Sequence, residues 1–380
     1  MIGGLSRADA GYFSRWWWTV DRAVIFASLA LMGLGFMLVF AAGPAAAERI
    51  GLPNAWHFVF RQAVFLVPAA MALTFFALLP ATQARRAAIF IFFAALALMV
   101  VGLIGGDETK GAQRWVDLGP FNIQPSEFAK PGLVVLSAWL LSESLREPGV
   151  PGRALALAAF GTMAFLLLKQ PDYGQFLLTS AAFGATFFVA GLSWAWVAAI
   201  TMFAAGMVGS AYLFVPHVAK RIDAFIAPES ADTYQIDAAR AAIERGGLFG
   251  AGPGEGIVKH RLPDAHTDFV FAVLGEEYGL MGCAALVFVY AFISLRALRA
   301  AAGRGSVFQQ SAVTGLAVLI GAQAFINMGV AINLLPAKGM TLPYLSYGGS
   351  SLIATSLTLG LILALGRDQG PARRRADVMA

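Results

Sequence analysis

The chain has 380 residues, 58% of them hydrophobic and 13% charged, with a mean hydropathy of +0.70 and a formal net charge of +5. An ordinary soluble domain carries roughly 25% charged residues, so this chain has too little polar surface to meet water on every side, and a lipid-facing surface removes the conflict. The small charge is divided among loops and argues against nucleic acid as a partner, and the single cysteine, Cys283, excludes an internal disulfide and a cysteine-based metal site.

Residues 1–22 are too polar for a cleavable signal peptide and read as a cytoplasmic N-terminal segment. Trp16-Trp17-Trp18, just before the first apolar run, fits an interfacial aromatic belt. A spanning helix needs about 20 apolar residues. Such runs follow at Ala23–Gly43, Gln62–Ala81, Ala87–Gly106, Glu127–Ser142 and Ala154–Leu168. The stretch Tyr173–Pro216 carries no charge and is too long for one span, and Gly191-Leu192-Ser193 divides it in two. Thr267–Leu295, Val307–Leu335 and Ser350–Gly366 complete the series. The expectation is an all-α polytopic membrane protein with about ten transmembrane helices. It forms a single transmembrane domain over 23–366, with a large extracytoplasmic loop at 217–266 between helices 7 and 8, and a basic cytoplasmic tail at 367–380.

Lysine and arginine set the orientation. With both termini cytoplasmic, the inside segments hold Arg7, Arg15, Arg22, Arg85, Arg86, Arg146, Arg153, Arg296, Arg299, Arg304, Arg367 and Arg373 to Arg375. The short outside segments hold fewer: Arg49, Arg61, Lys110, Arg114, Lys130, Lys169 and Lys338. That bias follows the positive-inside rule. Three outside segments, Asp107–Gln124, His217–His266 and Leu335–Ser350, are rich in Gly, Pro, charge and aromatics, as binding surfaces are. No internal repeat is visible, which disfavours repeat-built transporters.

The candidate chemistry lies in those segments. Pro125 and Ser126 suit a helix start, and Glu127 and Lys130 stand one turn apart on one face, either as a self-neutralising ion pair or as the wall of a polar cavity. Asp172 sits at a helix junction, where a turn-forming role is the plain alternative. Ser230–Arg245 reads as an amphipathic helix, with Ile236, Ala239 and Ile243 on one side. The glycine-rich Gly246–Gly256 lacks the Gly-Lys-Ser/Thr of a P-loop and reads as a flexible structural loop.

Lys259–Phe269 places two histidines and two carboxylates at the mouth of a helix. Thr267 or Asp268 can cap the helix, and Asp268 can be a catalytic base; the two roles are not exclusive. His260, Asp264 and His266 do not form a known zinc spacing. Glu276 and Glu277 lie two turns into the next apolar run and need a polar neighbour. Lys338 precedes Ser346-Tyr347-Gly348-Gly349-Ser350-Ser351, which is either an anion site at a helix N-terminus or a tight turn with capping serines.

Lys110–Lys130, Gln170–Gly174, Leu262–Gly282 and Asn333–Ser351 together resemble the SEDS family of bacterial shape, elongation, division and sporulation proteins, in order and through most of the chain. The forms Leu262-Pro263-Asp264-Ala265-His266-Thr267-Asp268-Phe269 and Lys338-Gly339-Met340-Thr341-Leu342-Pro343 look like the division branch rather than the elongation branch. Asp264, where Glu is commoner, and Tyr173 and Tyr344 depart from the usual pattern.

The resemblance implies an inverting peptidoglycan glycosyltransferase that polymerises lipid II into β-1,4 glycan strands, with Asp268 as general base. It implies a pyrophosphate leaving group met by Lys110, Arg114, Lys130 and Lys338, and a substrate cavity that also includes Trp115, Glu127, Asp172, His266, Ser346 and Ser350. No metal ligands are assigned; a divalent cation, Mg or Mn, can share the neutralisation. The implied partners are lipid II and undecaprenyl-pyrophosphate-linked glycan, a class B penicillin-binding protein, other divisome membrane proteins and the bilayer, in the inner membrane at the septum. A lipid II flippase and a non-catalytic scaffold are the alternatives. Charge concentrated at one face favours the enzyme, whereas Glu276 and Glu277 pull toward transport. A pure scaffold needs no intramembrane aspartate, lysine and glutamate together.

Overall fold

The computed structural model describes residues 11–105, 114–117, 119, 122–191, 193–227, 234–303, 305–336 and 339–367. Two of the sequence-predicted site residues, Lys110 and Lys338, lie outside the described residues.

A short helix α1 (Tyr12–Thr19) precedes α2 (Arg22–Arg49), α3 (His57–Leu78) and α4 (Ala81–Gly105). A two-stranded antiparallel hairpin, β1 (Val116–Asp117) and β2 (Asn122–Ile123), leads into α5 (Pro125–Arg146). Then follow α6 (Gly152–Lys169), α7 (Tyr173–Val189), α8 (Trp194–Phe214), α9 (Pro216–Ile226) and α10 (Tyr234–Gly246). After a 3₁₀ turn at Val258–His260 come α11 (Val270–Ala302), α12 (Val307–Ala331) and α13 (Gly349–Leu365).

A helix stands at each of the predicted apolar runs, and the uncharged stretch divides beside Gly191, whose φ of 87° ends α7 as only glycine does easily. Among the described residues, seven helices (α2, α3, α4, α6, α8, α11 and α12) are long and apolar enough to cross a membrane, while α7 and α13, at 17 residues each, are shorter apolar helices. α5 carries Glu127, Lys130, Glu143 and Arg146, and its first half is buried on nearly every side. It therefore needs little lipid-facing apolar surface.

The core gathers around α5, α7, α12 and α13. These helices bury most of their length, whereas α3, α4 and α8 expose large residues such as Phe60, Phe90, Met202 and Leu213. Lipid solvates the exposed residues, so they carry no hydrophobic penalty. α5, α7 and α12 meet at Gly315, where a Cβ would lie 2.1 Å from Thr186 Oγ1 and 2.7 Å from Val134 Cγ1. Close approach at small residues is the usual means of packing helices in lipid.

The two ends of the bundle differ. At one end Asp21 caps α2, accepting from the amides of Ala23 and Val24, and pairs with Arg296 at 2.8 Å. Trp16 donates its indole N–H to the carbonyl of Ala77 there, and Arg22 lies over the rings of Trp17 and Trp18. At the other end the starts of α5, α7, α11 and α13 and the end of α12 converge. Nearly all the predicted site residues gather at that second end.

Candidate active site

The first turn of α5 supplies the centre of the site. Pro125 occupies the first turn, where its missing N–H costs nothing. Glu127 and Lys130 then fall on one face and pair at 3.0 Å, both buried. Lys130 Nζ also donates to Gln175 Oε1 at 2.6 Å and to Gln323 Oε1 at 3.4 Å, and Gln175 Nε2 donates back to Glu127 Oε1 at 2.6 Å. Every hydrogen of the ammonium thus has an acceptor. A buried charge needs that degree of pairing. The ion-pair reading of these residues is realised.

Asp172 is the N-cap of α7, taking the amide of Gln175 on Oδ1 at 3.2 Å. Its Oδ2 receives Gln124 Nε2 at 3.3 Å and lies 3.5 Å from Arg114 Nη1. Burial pushes this carboxyl up from its ordinary value, and the Arg114 guanidinium opposes the rise. Arg114 is partly exposed, and its Nε has no protein partner. Trp115 beside it is half-buried, with its backbone against Gly102 of α4. Ser350, in the first turn of α13, accepts from the amide of Gln124 at 3.1 Å and donates to the carbonyl of Asn122 at 3.2 Å, which locks the hairpin onto the site.

Asp268 ends the segment that enters α11. The N-cap of α11 is Phe269, so Asp268 stands one residue before the cap position. Its backbone carbonyl accepts from Asn327 Nδ2 at 2.9 Å, and the same amide group reaches the carbonyl of Met340 at 2.6 Å. A Cβ on Gly339 would lie 3.3 Å from Asp268 Oδ2, so the carboxylate faces the segment that follows Lys338. One turn from Asn327, Gln323 Nε2 donates to the carbonyl of Thr341 at 3.0 Å while its oxygen faces Lys130. Two amides on α12 therefore join the Asp268 side of the site to the Glu127–Lys130 side.

Ser346 donates to the carbonyl of Thr267 at 2.5 Å and accepts from the amide of Leu342 at 2.7 Å, and Tyr347 N donates to the carbonyl of His266 at 2.8 Å. The ring of His266 packs 4.2 Å from that of Phe58 and 5.6 Å from that of Tyr347. Ser346 is thus a strut between segments rather than a helix cap, and the N-cap of α13 is Gly348, without a side-chain bond. Sequence reasoning did not single out Gln175, Gln323 and Asn327. The available signal for Gln323 and Asn327 is a pair of amides four residues apart on one helix.

Glu276 and Glu277 do not line a path through the bundle. Glu276 Oε1 and Oε2 accept from the amides of Ile257, Val258 and Lys259, and Glu277 pairs with Lys259 Nζ at 2.7 Å. Their polar neighbour is the loop between α10 and α11 itself. The loop after α10, read from sequence as flexible, is instead bound to α11. α11 breaks at Gly279 (φ 67°, ψ −168°), and the freed backbone groups are taken by residues 247–252. Leu280 N donates to the carbonyl of Gly247 at 2.8 Å and Met281 N to that of Leu248 at 3.1 Å. Ala251 N and Gly252 N donate to the carbonyls of Glu276 and Glu277 at 2.9 and 3.1 Å.

No group of three or more His, Cys, Asp or Glu side chains suited to a metal occurs among the described residues. Glu127 and Asp172 are held by protein cations.

The family of FtsW, RodA and SpoVE, described as cell cycle proteins, matches residues 22–370. A protein of Caulobacter vibrioides described as "Probable peptidoglycan glycosyltransferase FtsW" is 44% identical over 360 residues, 95% of this chain and 92% of that protein. One of Halomonas elongata with the same description is 34% identical over 375 residues, 95% and 93% of the two chains. A chain from a peptidoglycan synthase complex, described for its structural coordination of polymerization and crosslinking, is similar with a TM-score of 0.74 at 29% identity, over 91% of this chain and 97% of that one. The crystal structure of the rod shape determining protein RodA of Thermus thermophilus gives a TM-score of 0.68 at 28% identity, over 92% and 97%. This multi-pass membrane protein therefore belongs to the FtsW/RodA/SpoVE family, the SEDS family that its motifs resemble.

Proposed function

We propose that this chain is an inverting peptidoglycan glycosyltransferase that polymerises lipid II into β-1,4 glycan strands and releases undecaprenyl pyrophosphate during septal wall synthesis. The observation that carries the reading is the meeting of Asp268, the Arg114–Asp172 pair and the Glu127–Lys130 pair at one end of the bundle, joined through Gln323 and Asn327. The Caulobacter and Halomonas relatives bear the name of that activity.

In the reaction, Asp268 takes the proton of the acceptor's GlcNAc 4-hydroxyl. The freed oxygen attacks the donor's anomeric carbon from the face opposite the leaving group. The carbon–oxygen bond to pyrophosphate breaks, and its electron pair leaves with undecaprenyl pyrophosphate. One displacement on an α-linked donor gives the β bond, so no covalent nucleophile is needed. A positioned base contributes about 10²–10⁴-fold.

Arg114, partly exposed and with Nε unpartnered, is the described cation best placed to meet the pyrophosphate. Lys130, with its hydrogens all engaged, organises the cavity wall. Lys110 and Lys338 belong to the same proposal from their sequence positions. The hydroxyls of Ser126 and Thr179 and Asn327 Oδ1 are buried without a protein hydrogen-bond partner. A divalent cation, Mg or Mn, would be held chiefly by pyrophosphate oxygens, because the cavity carboxylates are already paired. A class B penicillin-binding protein is the proposed partner, with other divisome membrane proteins, in the inner membrane with both termini cytoplasmic. The likeness to a chain of a peptidoglycan synthase complex supports that assignment.

The test is polymerisation of fluorescent lipid II by the chain co-purified with its transpeptidase, wild type against Asp268→Asn. Loss of glycan strands in a folded, partner-bound variant is the expected result. Undiminished polymer from the variant removes Asp268 from the chemistry. Transbilayer movement of lipid II without polymer, from the wild type, moves the assignment to a flippase.

A further inference from the structure

The segment that delivers Asp268 is tied at both ends to the same helix. Its downstream end is the start of α11 at Val270. Its upstream end is the turn Ile257–Lys259, whose three successive amides converge on the carboxylate of Glu276 at 2.7, 2.9 and 3.4 Å. Glu276 is fully buried and lies less than two helical turns from Val270, about 9 Å along the axis at 1.5 Å per residue. Between the two ties the chain folds on itself. Arg261 N and Leu262 N donate to the carbonyl of Val258, and Thr267 N and Phe269 N donate to that of Asp264, which holds φ at 54°.

A loop closed at its base by a buried carboxylate has few ways to move. A carboxylate that accepts several backbone amides is also among the stronger anchors available. The break at Gly279 fixes the position of this anchor: the carbonyl of Glu276, lacking a helical partner there, is bound by Ala251 N, so backbone and side chain of one residue hold two parts of the same loop. The cations near it, Arg245 at 3.6 Å and Lys259 on the neighbouring Glu277, balance the charge without occupying the three amide contacts.

We infer that Glu276 is a positioning residue for the reaction: it sets the place of Asp268 by closing the base of the 257–269 loop. The inference rests on the polymerase reading for its kinetic consequence and on geometry alone for its structural one.

The experiment compares wild type, Glu276→Gln and Gly256→Ala, each co-purified with the transpeptidase in nanodiscs. In Glu276→Gln an amide donor replaces an acceptor facing the amides of Val258 and Lys259. In Gly256→Ala the new Cβ meets Glu276 Oε2 at 2.9 Å and displaces the carboxylate while keeping its charge, on a backbone that tolerates alanine. Two quantities are read: steady-state lipid II polymerisation, and hydrogen exchange of the amides at 257–259 and 267–269. Glu276→Gln is expected to speed exchange at both sets at least tenfold. It is expected to lower kcat at least tenfold with KM within about twofold, and Gly256→Ala to do the same to a lesser degree. If Glu276→Gln does not fold, Gly256→Ala decides the matter. Faster exchange at 257–259 with unchanged exchange at 267–269, or with unchanged kcat, overturns the inference and leaves Glu276 as a loop anchor only. A wild type that makes no polymer, with variants that loosen 267–269, defeats the polymerase reading and upholds the clamp.

Discussion

The side-chain amide of Asn327 donates to the backbone carbonyl of Asp268 at 2.9 Å and to that of Met340 at 2.6 Å. Asp268 leads into α11 and Met340 belongs to the loop before α13, so one buried amide ties both to α12. Asn327→Leu keeps the branching and heavy-atom count of the side chain and removes both donors, leaving two carbonyls without that partner. An orphaned buried polar group costs about 1–3 kcal/mol. The variant is expected to melt lower by an amount of that order and to lose lipid II polymerisation by more than its folded fraction explains, because the Asp268 segment is displaced from the Met340 loop. Melting in detergent and activity per folded molecule check it. Equal losses in both would reduce Asn327 to a stabilising contact.

The apolar runs made the helices legible. Their length against the bilayer is a physical constraint, and Gly191 marked the one division that composition alone hid. The pairing of Glu127 with Lys130 was legible too, because helical spacing puts residues three apart on one face. Three features were not. Gly279 breaks α11 inside an apolar run that reads as continuous, since a single glycine is also tolerated in an intact helix. The loop after α10 was read as flexible because the carbonyls that hold it exist only once that distant break has formed. Glu276 binds backbone amides, and a backbone partner leaves no residue type in the sequence by which to recognise it. Gln323 and Asn327 were similarly silent until α12 was set against Lys130 and Asp268.

Asp172 sits in the turn before α7, and burial raises its carboxyl above the ordinary value despite Arg114. A raised folded-state value means that the group's contribution to stability is fully present below the unfolded carboxyl's range and is lost as pH rises through the folded value. At neutral pH the ionised carboxylate therefore costs stability. Asp172→Asn removes that cost, and asparagine is as good an N-cap acceptor as aspartate. The variant is expected to melt at or above the wild-type temperature at neutral pH, with the difference shrinking as the medium is made acid. Polymerisation is expected to fall at least tenfold, because Arg114 loses its counter-charge beside the site. Melting curves across pH, read with the activity assay, test both halves. A variant less stable at neutral pH would falsify the burial argument.

Lys259 and Glu277 form a buried pair at 2.7 Å, and Lys259 Nζ also donates to the carbonyl of Gly254 at 2.7 Å. The pair lies beside the Glu276 clamp, but its own bonds run from side chain to side chain and to a different stretch of loop. Removing one partner of a buried pair leaves an uncompensated charge and costs about 3–5 kcal/mol, whereas replacing both with apolar residues of similar volume is often neutral. Lys259→Met and Glu277→Leu are each expected to destabilise strongly, and the double variant to recover most of the loss, giving a coupling energy of a few kcal/mol in a double-mutant cycle. Because the amides of residues 257–259 still meet Glu276 in the double variant, its activity per folded molecule is expected to stay within about threefold of wild type. A stable but inactive double variant would show that a charge of the pair itself acts on the reaction, which a role confined to holding the loop does not allow.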